Sequence, residues 1–126
     1  MRLSPSQSTS CLRALELFSP AVIYVFGSYG TKTQHGGSDL DIAFLAILPS
    51  EPFQLFKIAN NLSHEIGIDV DLIDLSRAST VLRKEVIRTG EPIYIDNETA
   101  MRQFEMLTLS DYARLNEERH EILTTH

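Results

Sequence analysis

With 126 residues, 43 % of them hydrophobic, the chain can bury one core but not two, so one compact α+β (mixed α/β) domain over 1–126 is expected. Eleven Lys plus Arg against seventeen Asp plus Glu give a formal net charge of −6; with no basic stripe to neutralise a phosphate backbone, long nucleic acid is excluded as a substrate class. The lone Cys11 cannot form an internal disulfide, and neither a signal segment nor an apolar run of membrane-spanning length occurs, which points to a cytoplasmic protein with no membrane partner.

Ser4-Pro5-Ser6 caps a first helix that runs to about Phe18, because Leu12, Leu15 and Phe18 recur at helical spacing and Pro20 forbids continuation. On that apolar face Cys11 reads as a small buried hydrophobe. Ala21 to Phe26 is β-branched and aromatic throughout, the pattern of a central strand covered on both faces. Ser28 to Ser38 is a Gly/Ser/Thr-rich loop or short helix with a turn at Gly36-Gly37. Asp39 to Leu48 opens by alternating carboxylate and apolar residues and becomes wholly apolar before Pro49, a second core strand with an acidic beginning.

Phe53 to Ile66 places Phe53, Phe56, Ile58, Ala59, Leu62 and Ile66 near one helical stripe, which Gly67 ends. Ile68 to Leu75 alternates strictly, so a third strand is expected with Ile68, Val70 and Leu72 inward and Asp69, Asp71 and Asp74 exposed or turned to a cleft. Ser76 to Arg88 is a basic helix closed by Thr89-Gly90, and Glu91 to Asp96 a short strand that Pro92 assigns to an edge. Met101 to Leu123 is a long helix that carries Phe104, Leu107, Leu109, Tyr112, Leu115 and Ile122 among many charges, so one face is expected to pack and the other is left for solvent or a partner.

The chemistry concentrates in Gly27-Ser28, ten residues, then Asp39-Leu40-Asp41. Residues two apart on a strand share a face, so Asp39 and Asp41 form a hard-oxygen pair suited to Mg²⁺, which takes its other ligands from water and substrate phosphates. Gly27 lets the backbone approach a phosphate closely, and Ser28 can donate a hydrogen bond to it. Asp71 adds a further carboxylate to the same cleft if the three strands are adjacent. In-line phosphoryl or nucleotidyl transfer needs these parts: two metal ions on the attacking and leaving oxygens, and a carboxylate to take the acceptor's proton. The bland alternative is a solvated strand start beside an ordinary turn.

Gly27-Ser28-x10-Asp39-x-Asp41 resembles the signature of the DNA polymerase β-like nucleotidyltransferases, and the whole chain is similar to their minimal nucleotidyltransferase (MNT) branch. The resemblance covers Val25-Phe26-Gly27-Ser28, Gly37-Ser38-Asp39-Leu40-Asp41-Ile42, Val70-Asp71-Leu72-Ile73-Asp74-Leu75, and Gly90 before Ile93-Tyr94-Ile95. It implies a small mixed sheet of three or four strands flanked by helices. It further implies Asp39 and Asp41 as metal ligands, Asp71 as the third catalytic and metal-binding carboxylate, and Gly27 and Ser28 as contacts to the triphosphate of ATP. Members of that branch commonly serve as antitoxins of HEPN-domain ribonuclease toxins, and the active ones adenylylate a tyrosine of the partner. By resemblance alone, therefore, the expected activity is AMP transfer to a toxin hydroxyl. A binding-only antitoxin, a small-molecule nucleotidyltransferase and a plain structural domain are the rivals, and the second lacks the length for an added acceptor domain.

Lys32 and His35 lie between the phosphate cradle and the metal site. Lys32 is a candidate triphosphate contact, with a solvated loop lysine as its alternative, whereas His35 reads as an exposed turn histidine. Arg77, Arg83, Lys84 and Arg88 form a basic cluster whose default is a solvated helix face. His120 and His126 are too poorly spaced for a metal site.

Overall fold

The structure, a computed structural model, describes residues 3–26 and 40–124. Gly27, Ser28, Lys32, His35 and Asp39 lie outside the described residues. Ser4 starts the first helix, α1 (Pro5–Leu15), through a capping box: its hydroxyl accepts the Gln7 N–H at 3.2 Å and its own N–H donates to Gln7 Oε1 at 2.9 Å. One 3₁₀ turn, Glu16–Phe18, extends it to Ser19, whose φ of 52° turns the chain into a strand.

That strand, β1 (Pro20–Phe26), lies between β2 (Leu40–Ala46) and β4 (Glu91–Ile95), antiparallel to both. A helix, α2 (Pro52–Ile66), then carries the chain to β3 (Val70–Asp74), which pairs parallel to β2 and completes the order β3-β2-β1-β4. The result is the mixed four-stranded sheet with Pro92 on an edge strand. Helices cover both faces. Ile23, Leu40, Ile42, Phe44, Val70 and Leu72 pack against Cys11, Leu15 and Phe18 of the first helical segment and Leu62 of α2, with the Phe18 and Phe44 rings stacked at 5.4 Å. On the other face Val22, Tyr24, Phe26 and Ala43 meet Val86 of α3 (Thr80–Thr89) and Met101 of α4 (Glu98–Thr124).

Several expectations are corrected. β2 stops at Ala46 rather than Leu48, because β1 begins at Pro20, paired with Ala46, and offers no partner beyond it; Ile47 and Leu48 are exposed. In α2 the inward stripe is Leu55, Ile58, Ala59, Leu62 and Ile66, at offsets of three, four, seven and eleven, so Phe53 and Phe56 face outward instead of inward. Asp74 lies on the face opposite Asp71, as its spacing requires, but is buried rather than exposed. Its carboxylate accepts hydrogen bonds from Ser50 Oγ (2.6 Å), Ser76 Oγ (2.7 Å) and the Ser76 N–H (2.9 Å). That turn delays α3 to Thr80, where Ser79 Oγ caps it by accepting the Leu82 N–H at 3.1 Å. On α4 the packed positions include Met101, Phe104 and Thr108, while Leu107, Leu109 and Ile122 are on the open side.

Candidate active site

One end of the sheet gathers the last residue of β1 and the first residues of β2, β3 and β4. There the register aligns Phe26, Asp41 and Asp71 in one row across three strands. Partners in a row share a face, so both carboxylates point to the side covered by α3 and α4, the side on which Ala43 and Ile73 follow them. Asp41 is 2 % exposed and Asp71 is open to solvent. Adjacent strands are about 4.8 Å apart, so two like charges are held a strand spacing from each other, one of them out of water. A hard divalent cation relieves that repulsion and matches the all-oxygen donor set. The described residues therefore fit a metal-assisted site; Asp39, the remaining expected ligand, falls outside them. Among the described residues no group of three or more potential ligands is assembled, and His120 joins none.

The start of the row is fixed by the backbone. The Leu40 N–H donates to the Asp69 carbonyl at 3.0 Å, which sets β2 against β3 one residue before the Asp41–Asp71 pair. Asp69 thus serves through its main chain, a contribution that no side-chain pattern in the sequence announces. Beneath the row Tyr24, buried on the same face, donates from its hydroxyl to Glu105 Oε2 at 2.7 Å and joins β1 to α4. Burial, then the hydrogen bond and the charge of Glu105, push the phenol far up, so it stays a protonated donor. Gly90 brings the end of α3 against β1: a Cβ there would lie 2.3 Å from the Val86 carbonyl oxygen and 3.3 Å from Phe26 Cβ.

The basic cluster is not collected at the carboxylates. Arg83 donates to the Leu75 and Ser76 carbonyls (2.8 and 3.0 Å) at the opposite end of the sheet, Arg88 pairs with Glu85 at 2.7 Å, and Lys84 lies over the Tyr112 ring at 4.7 Å. Their positive charges serve α3 and its neighbours.

Comparison with known proteins bears on this arrangement. Residues 13–99 match the family described as Polymerase beta, Nucleotidyltransferase. The protein adenylyltransferase MntA of Shewanella oneidensis is 38% identical over 102 residues, which span 81% of this chain and 73% of the relative. A solved complex of tri-AMPylated Shewanella oneidensis HEPN toxin with MNT antitoxin contains a similar chain, with TM-score 0.77, 30% identity and coverage of 94% of this chain and 93% of that one. A toxin–antitoxin structure with AMP-PNP gives TM-score 0.77 at 35% identity, covering 92% and 94% of the respective chains.

Proposed function

Since the chain belongs to the polymerase β nucleotidyltransferase family, we propose that it is a protein adenylyltransferase antitoxin. It moves AMP from ATP onto a hydroxyl, a tyrosine's by resemblance, of a partner HEPN-domain ribonuclease toxin and so silences it. The observation that carries this reading is the Asp41–Asp71 row at the sheet end where β1 finishes and β2 begins. It works as one minimal domain over 1–126 in the cytoplasm; among the described residues no helix is long and apolar enough to cross a membrane.

In this scheme Asp39, Asp41 and Asp71 hold Mg²⁺, and Gly27, Ser28 and Lys32 receive the triphosphate. Bound magnesium neutralises charge that builds on the phosphate oxygens during transfer. Asp71, the exposed member of the row, faces the incoming acceptor and takes its proton. The acceptor oxygen then forms a bond to the α-phosphorus, the bond from that phosphorus to the bridging oxygen breaks, and pyrophosphate leaves. The partner supplies the wall that so small a domain lacks, which places its hydroxyl in line and excludes water.

Intact-mass spectrometry of a partner HEPN-domain toxin, after incubation with the protein, ATP and Mg²⁺, tests the proposal. The toxin should gain whole multiples of one AMP residue, and EDTA should abolish the gain. Unchanged mass in toxin that is nonetheless silenced assigns neutralisation to binding alone.

A further inference from the structure

Five large apolar side chains, Leu17, Ile47, Leu48, Phe53 and Phe56, are about half exposed or more, and Phe53 and Phe56 reach 72% and 61%. They come from three segments that meet. The Leu48 N–H approaches the Phe18 carbonyl at 3.5 Å, and Leu17, Phe53, Lys57 and Ile58 line a common groove of about 470 Å³. Packing within the fold explains why each is left outside. β1 runs out beside Ala46, and the inward stripe of α2 turns both phenylalanines away. Lys57 lies 5.8 Å over the Phe53 ring and Glu51 lines the same groove, which gives an aromatic centre a charged rim. Exposed apolar surface of this composition is that of a protein interface.

Its position is informative. Asp41 is the second residue of β2 and Ile47 follows its other end, so six residues of extended chain, about 20 Å, separate Ile47 from Asp41. We propose that this surface is a docking site for the HEPN-domain toxin, distinct from the catalytic edge, that keeps the toxin bound through successive AMP transfers. The proposal rests on the adenylyltransferase reading above. The occupant is the toxin because the similar antitoxin chain stands in a complex with one that carries three AMP groups. Each transfer adds a phosphodiester anion at the end of the sheet that carries the aspartates, on a chain of net charge −6, so contact there weakens as the product accumulates. Apolar contact about 20 Å away, beyond two Debye lengths at physiological salt, is insensitive to that charge. A tethered toxin then presents its next hydroxyl at high effective concentration.

The test uses the full chain carrying Phe53→Asp with Phe56→Asp, and separately Ile47→Ser, a position 76% exposed, against its partner HEPN-domain toxin. Thermal melts and ATP–Mg²⁺ affinity should match the parent, because these side chains support neither the core nor the carboxylate row. Toxin affinity should fall at least tenfold for the double variant, and at limiting enzyme the mass spectrum should shift from multiply to singly adenylylated toxin. Unchanged affinity and AMP distribution in both variants would overturn the proposal. So would a parent dimer that becomes monomeric with toxin affinity intact, since the surface would then belong to a second copy. A parent that binds the toxin through this surface yet transfers no AMP would instead defeat the adenylyltransferase reading and spare the docking site.

Discussion

Replacing Asp74 by asparagine should cost stability and leave the chemistry intact, although Asp74 stands three residues from Asp71 on the same strand. The Asp74 carboxylate is 6% exposed and accepts three hydrogen bonds, from Ser50 Oγ, Ser76 Oγ and the Ser76 N–H. Bonds to an ionised acceptor contribute about 1.5–3 kcal/mol each and neutral ones about 0.5–1.5 kcal/mol, so the neutral isostere, which keeps the Ser76 bonds on its one carbonyl oxygen and must donate from its amide to Ser50 Oγ, weakens each by about 1 kcal/mol. Relief of burying a charge offsets part of that sum, leaving a net loss of about 2 kcal/mol. At this chain length that lowers Tm by about 8 °C. The pH dependence follows the same group. Burial alone would raise its pKa, but the bonds from Ser50 and Ser76 and the charge of Arg77, 3.9 Å away, outweigh it and hold the carboxyl below its ordinary value. A depressed folded-state pKa means stabilisation that is fully present above the unfolded value of about 4 and is lost as pH falls through it toward the folded value. Scanning calorimetry from pH 7 to pH 3 should therefore show a gentler acid decline in Asp74→Asn than in the parent. A variant that melts within 2 °C of the parent but loses AMP transfer would refute this assignment and move Asp74 into the catalytic site.

Asp71→Asn should lower transfer by at least about a thousandfold with an unchanged melt, because its side chain is exposed and, in the proposed scheme, is needed for the reaction and not for packing. Asp69→Asn should leave turnover nearly intact, since only the Asp69 carbonyl is used; the reverse ranking in steady-state assays would exchange their roles. Burial and the nearby Glu65 push the Cys11 thiol up to about 11, so at pH 8 about one molecule in a thousand carries the thiolate. Labelling by a disulfide reagent should follow unfolding, and rapid labelling of the native protein would contradict the buried placement.

Where local pattern and tertiary packing coincide, the sequence is a sufficient guide. The unbroken run from Ala21 to Phe26 demands cover on both faces and receives it, and the alternation in Val70-Asp71-Leu72 sends Asp71 to the face of Asp41. The adjacency of β2 and β3, on which the catalytic reading depended, comes from the α2 crossover and is visible only in the fold. Hidden features all depend on distant partners. Asp74 is buried because Ser50, 24 residues earlier in the chain, reaches it. Phe53 and Phe56 read as core because a helical stripe can be drawn through them, yet a competing stripe through Leu55 packs better. Arg83 looks like surface charge until the Leu75 and Ser76 carbonyls are placed beside it.

The parallel pairing of β2 with β3 also governs when the protein becomes competent. Asp41 and Asp71 are thirty positions apart and meet only after α2 has formed and β3 has docked beside β2. Parallel ladders between such distant segments form late, because chain entropy must be spent before the contacts reward it. A nascent chain that has completed β2 holds half the carboxylate row and no more. Activity therefore reports on the completed fold, and refolding followed by regain of transfer should lag behind the recovery of helix signal.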